Sequence, residues 1–175
     1  MRLLVIGCGN PLAGDDSAGL EILRRLQARS DCGCELRAAP QAGVGLLEFF
    51  EQADVLLFVD AVSSGAPAGT LHLLPLPSPE VESRGIRTLS AHGWDLPQTL
   101  ALARALGRRI PKLMLLGVEM ASVTPFVPRA ADVEEAIALV VDRFPRLRSM
   151  LLDAASEIWR EPQSFFAGDD SFLKE

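Results

Sequence analysis

No apolar run in this sequence approaches the ~20 residues that a membrane-spanning helix requires. An excess of basic residues is missing too: 17 Lys and Arg stand against 23 Asp and Glu, a formal net charge of −6. Nucleic-acid surfaces work by neutralising phosphates, so this balance excludes DNA and RNA as expected partners and leaves protein partners open. Cysteine is scarce, with only Cys8, Cys32 and Cys34. An odd number without an export signal implies reduced thiols in a cytoplasm. Met1-Arg2 and the apolar residues behind it imitate a signal peptide, but Asn10-Pro11 breaks that run and Asp15-Asp16 closes it. Cys32-Gly33-Cys34 is half of a thiolate metal site, and no second cysteine pair completes it. The G-x-S-x-G elbow of the α/β serine hydrolases is absent, and so is any internal repeat.

What is present starts with Leu3 to Gly19, LLVIGCGNPLAGDDSAG. Apolar residues run into two glycines, then Asn10-Pro11, then two carboxylates, and a helical pattern follows. This spells a buried strand, a tight turn with unusual backbone angles, and a helix that begins on acid. A glycine-rich turn in this place commonly cradles phosphate, and Gly7 and Gly9 match the first two glycines of G-x-G-x-x-G. Leu12 stands where the third belongs, however, and Asp15 and Asp16 would repel the phosphate. The same turn suits a cation, so no nucleotide is expected.

The rest of the 175 residues, 49% of them hydrophobic, reads as one α/β core. Ala18, Ile22, Leu23 and Leu26 share a helix face. Cys34 to Ala38 is a second strand, Val44 to Phe50 a short helix, and Val55 to Val59 a buried strand ending on Asp60. Thr70 to Leu74 is a fourth strand, stopped by Pro75, Pro77 and Pro79. Residues 75–91 form a long connection of the kind that carries function. Leu96, Leu100, Ala103 and Leu106 stripe the next helix, with Asp95 and Gln98 as a capping pair and Gly107 at its end. Leu113 to Val118 is a fifth strand, and Val133 to Phe144 an amphipathic helix. Beyond Pro145 a further helix is expected through Trp159, then a loosely held tail from Glu161 to Glu175.

Strands alternating with helices predict a three-layer αβα fold around a mostly parallel, twisted sheet of about five strands. Ligands of such sheets bind beyond the carboxyl ends of the strands. That edge collects the turn after strand one, the end of strand three and the loop after strand four, which carry Asp16, Asp60 and His92. Two carboxylates and an imidazole suit a borderline divalent ion such as zinc or nickel, and leave coordination positions open. Each has a plainer reading. Asp15 or Asp16 could cap the helix, and Asp60 could be a buried structural carboxylate. His72, inside a strand pattern, reads as structural.

Gly7-x-Gly9-Asn10, Asp15-Asp16-x-x-Gly19, Val59-Asp60-Ala61, His92-Gly93 before a Leu-rich helix, and Gly117-Val118-Glu119, in this order, resemble the hydrogenase maturation endopeptidases. The likeness covers roughly residues 1–145, a single α/β peptidase-like domain, and leaves 146–175 as a helical extension and tail. It implies a cytoplasmic protease that removes a C-terminal extension from the precursor of the [NiFe] hydrogenase large subunit after nickel insertion. It also implies that Asp16, Asp60 and His92 contact the metal and carry catalysis, with nickel supplied by the substrate. Asp16 stands where the family often has Glu, which shortens the reach, and the pattern after Glu119 is loosely kept in Thr124 to Pro128. Three other readings compete. One is a non-catalytic metal-binding maturation chaperone with the same ligands, and another is a nucleotide-binding module. The third is a cysteine nucleophile, Cys8, with His92 as its base.

Overall fold

A computed structural model describes residues 1–30, 32–38, 46–77, 87–88 and 96–167. Strand β1 is Leu3–Gly7, β2 Glu35–Ala38 and β3 Val55–Ser63. These three run parallel, as does β6, Lys112–Glu119, in the order β2-β1-β3-β6. Strand β4, Leu71–Leu76, closes the sheet as an antiparallel edge on β6. The result is the expected α/β fold, with five strands on the main path and a mostly parallel, mixed sheet. A sixth, two-residue strand, β5 (Arg87–Thr88), lies antiparallel to the last residues of β3.

The period-two alternation of the strands sorts the core onto two faces. Leu3, Val5, Val55, Leu57, Met114 and Leu116 join helices α1 (Ala18–Gln27) and α4 (Ala131–Leu152) on one side. Leu4, Ile6, Leu56, Phe58 and Leu115 meet α2 (Leu47–Phe50) and α3 (Leu96–Ala105) on the other. A final short helix, α5, is Ser164–Ala167. Among the described residues no helix is long and apolar enough to cross a membrane.

Several local expectations are corrected. Strand β3 does not stop before Asp60 but continues to Ser63, because Ala61 and Val62 are buried and pair with Val118 and Glu119. Strand β4 runs through Pro75, which an edge strand tolerates since one side of its ladder is unused. Its antiparallel course ends the strand, at Leu76, on the edge opposite the carboxyl ends of the parallel strands. Strand β5 brings the chain back to the carboxyl edge, Thr88 opposite Val62. Leu106 lies outside the buried stripe of α3 and is exposed.

The largest difference is Pro145, which sits inside one continuous 22-residue helix. A proline there leaves the carbonyl four residues earlier, that of Val141, without its helical donor. Arg29 supplies the replacement, donating from Nη1 to the Val141 carbonyl at 3.3 Å. Phe144, Leu147 and Leu151 stay buried on one side of the helix and pack it against the sheet. The chain beyond is no loose tail as far as 167: Ile158 and Phe165 enter the same core. Residues 41–45, Asp95 and residues 168–175 lie outside the described residues.

Candidate functional site

The site begins where β1 ends. Gly7 lies opposite Val59 of β3, and the next residue, Cys8, donates its N–H to the Val59 carbonyl at 2.8 Å. The chain turns through Gly9 into a 3₁₀ turn, Gly14–Ser17, and then into α1. Gly19 lies flat against the strand ends. A Cβ on it would fall 2.2 Å from the Val59 carbonyl oxygen and 2.5 Å from that of Cys8. Backbone on backbone, with no side chain between, fastens the acidic turn to β3 one residue before Asp60. Asp60 itself pairs with Gly117 of β6. Alternation along β3 puts its side chain on the α2–α3 face with Phe58 and Val62.

Asp16 and Asp60 are both buried, at 8% and 1% exposure. The backbone N–H of Asn10 donates to the Asp16 carboxylate, while Oδ1 of Asp16 is buried without a hydrogen-bond partner among the described residues. Burial pushes the Asp16 pKa up, and the Asn10 N–H pulls it partly back. A buried carboxylate oxygen with an open lone pair is costly unless a proton or a cation occupies it. Burial, and then the charge of Asp60, push the Cys8 thiol far up. Fully buried, Cys8 lacks the partly exposed, electropositive surroundings of reactive thiols, which counts against the nucleophile reading.

Asp15 has a different task from its neighbour. It makes no helix cap, contrary to the plainer reading of the sequence. Its Oδ2 accepts from the N–H groups of Ala121 (2.9 Å) and Ser122 (3.0 Å), and its Oδ1 from that of Ala130 (2.8 Å). One carboxylate thus closes both ends of the 121–130 loop onto the acidic turn. Arg129 adds a bond to Ser17 Oγ at 2.8 Å and an ion pair with Glu134. Nothing in the local sequence separates Asp15 from Asp16.

His72 lies within β4, in keeping with a structural role, and pairs with Glu119, a contact that the sequence does not display. Its Nε2 lies 3.0 Å from Oε2 of Glu119, a buried carboxylate that also accepts from Ser64 N–H, Ser64 Oγ and Gly65 N–H. Burial raises the Glu119 pKa, but these donors outweigh it and hold the group below its ordinary value. In the sequence Glu119 stands out only as an acid after six residues of strand pattern, in Gly117-Val118-Glu119. Cys32 and Cys34 lie before β2, far along the sheet from the carboxyl edge. Their sulfurs are 2.8 Å apart and both are free thiols.

The structure therefore brings the Asp16 turn and Asp60 to one edge of the sheet. His92 lies outside the described residues, four positions beyond Thr88. Among the described residues no three His, Cys, Asp or Glu side chains group closely enough to hold a metal ion.

Comparison with known proteins agrees with this architecture. The family model for hydrogenase maturation protease matches residues 38–145. The hydrogenase 2 maturation protease of Escherichia coli K12 is 32% identical over 140 residues, covering 78% of this chain and 84% of that protein. The hydrogenase expression/formation protein HupM of Azotobacter chroococcum is 31% identical over 148 residues, covering 80% and 70%. Among solved structures, the hydrogenase maturating endopeptidase HybD of E. coli superimposes with a TM-score of 0.68 at 29% identity, over 85% of this chain and 93% of that one. With a family model that matches more than half of the chain, relatives above 30% identity and a shared fold, the chain belongs to the hydrogenase maturation protease family and is an endopeptidase.

Proposed function

We propose that this endopeptidase removes the C-terminal extension of a [NiFe] hydrogenase large-subunit precursor, and that it reads nickel already seated in that precursor through Asp16, Asp60 and His92. The observation that carries the reading is the buried Asp16 carboxylate with an open Oδ1, on the same sheet edge as buried Asp60. Two carboxylates and a neutral imidazole are donors that a borderline divalent ion accepts. An ion borne by the substrate would repay the desolvation that now raises the Asp16 pKa. The shorter reach of Asp at position 16 is met by the Gly9 and Gly19 contacts, which press its turn onto the strand ends.

In this reading the ion, as part of the substrate, polarises the peptide bond to be cut. The chain's own residues bind and orient: Asp16 and Asp60 present fixed negative charge, and the Asn10 N–H holds the other side of the Asp16 carboxylate. His92 is within chain reach, because four extended residues span about 13 Å from Thr88. The work is cytoplasmic in this proposal, in keeping with free thiols at Cys8, Cys32 and Cys34.

The test is incubation with nickel-loaded and nickel-free precursor, followed by mass spectrometry. Release of one C-terminal peptide from the loaded form alone is the expected result. Equal cleavage of both forms would remove metal recognition from the proposal, and tight binding without release would turn it into a chaperone. Cys8→Ser is expected to retain more than half of the activity. Its stability cost is ~1–2 kcal/mol, that of burying a hydroxyl among apolar groups. Native Cys8 should resist iodoacetamide. Complete inactivity of folded Cys8→Ser would restore the thiol nucleophile.

A further inference from the structure

The 121–130 loop carries a feature that neither burial nor fold stability explains. Phe126 is 81% exposed, and its backbone sits at φ +61°, a left-handed conformation that non-glycine residues rarely adopt. An exposed ring and a strained backbone are both unfavourable in the isolated chain. They are nevertheless enforced. The Phe126 N–H donates to the Leu12 carbonyl at 2.8 Å, and Leu12 N–H is held in turn by Asn10 Oδ1 at 3.0 Å. Asp15 pins the loop at Ala121, Ser122 and Ala130. Gly14 lets the loop approach, since a Cβ there would lie 3.2 Å from a Val127 methyl and 3.3 Å from the Thr124 carbonyl oxygen.

The outcome is a rim of exposed apolar side chains, Leu12, Val123, Phe126 and Val127, of which Leu12, Phe126 and Val127 line a shallow groove together with Ser17 and Arg129. Leu12 belongs to the same turn after β1 as Asp16, so the rim borders the segment that carries one of the candidate site residues. Four side chains fall well short of the ~800 Å² per partner that a stable dimer takes. They suit a transient grip on an extended chain, with one aromatic anchor on a pre-organised loop.

We propose that this rim is where the precursor is gripped beside its cleavage point, an apolar side chain of the precursor packing on Phe126. The proposal rests on the proteolytic reading above and goes beyond it by naming the residue that sets substrate affinity. Phe126 is then a specificity residue and takes no part in the chemistry.

Phe126→Gly tests it, because glycine removes the ring and relieves the left-handed strain together. The variant is expected to melt at or above the wild-type temperature, while KM for nickel-loaded precursor rises about tenfold or more and kcat stays within twofold. Phe126→Trp should restore KM to near the wild-type value. Precursor affinity, measured separately by calorimetry, should weaken in parallel with KM. Wild-type KM in Phe126→Gly would overturn the proposal, as would a dimer of the wild-type chain that Phe126→Gly dissolves. Wild-type protein that binds precursor without cutting it would overturn the proteolytic reading alone, and the ratio of the two affinities would still decide the rim. Absence of any binding would sink both.

Discussion

Asp60→Asn should leave a folded protein that no longer cuts. The substitution is nearly isosteric and keeps one hydrogen-bond acceptor, so it removes mainly charge. Asp60 is 1% exposed and lies inside β3, paired with Gly117 and flanked by buried Val59, Ala61 and Val62. If its charge serves the substrate-borne ion, precursor cleavage falls by ~10²–10⁴-fold, the range for losing one such group. Stability moves the other way. A charge in this interior costs desolvation, so the unfolding midpoint should stay level or rise. A structural carboxylate predicts the reverse pair, a lower midpoint with normal cleavage by the folded fraction. Urea unfolding and peptide release on the same sample separate the two. A destabilised, active Asp60→Asn protein would remove Asp60 from the site.

Gly9→Ala is expected to be among the most damaging single methyl additions at the described glycines. Gly9 sits at φ +129°, a region closed to other residues, and a Cβ there would lie 2.0 Å from the backbone oxygen of Asp16. That neighbour is backbone and cannot rotate aside. The conformational strain alone is ~1–3 kcal/mol, and displacing the acidic turn adds to it. A total of at least ~4 kcal/mol is a large share of the ~5–15 kcal/mol that stabilises a domain. The displacement also moves the Asp16 carboxylate and its Asn10 N–H donor, so cleavage should fall even at temperatures where the variant is folded. Thermal melts and processing assays at 10 °C check both halves. An unchanged melting temperature would mean that the turn can rearrange freely, which contradicts the packing described for Gly9 and Gly19.

The two aspartates show where reading the sequence stops. Asp15 and Asp16 are adjacent, identical in type and alike in local context, so either could be a cap or a ligand. Only the return of the 121–130 loop distinguishes them. Three N–H groups, 106, 107 and 115 residues away, converge on Asp15 and leave Asp16 with an open oxygen. The His72–Glu119 pair is invisible for the same reason, its members being 47 residues apart on neighbouring antiparallel strands. Pro145 reads as a helix end by every local rule. Arg29, 112 residues before the carbonyl it serves, makes the uninterrupted helix affordable.

The sequence by itself determined the α/β class, the buried strands, the apolar face of α1, the acidic turn after β1 and the position of that turn and of Asp60 at the carboxyl edge. Those properties depend on side-chain periodicity and on residues within a few positions of one another, which the linear order displays. The tertiary structure alone decided that Asp15 is a clamp, that Asp60 lies within a strand, that Cys8 is fully buried, and that Phe126 is held outward in a strained conformation. Each of those outcomes rests on hydrogen bonds or desolvation supplied by segments distant in the chain. Such partners acquire a position only when the parallel strands close into one sheet.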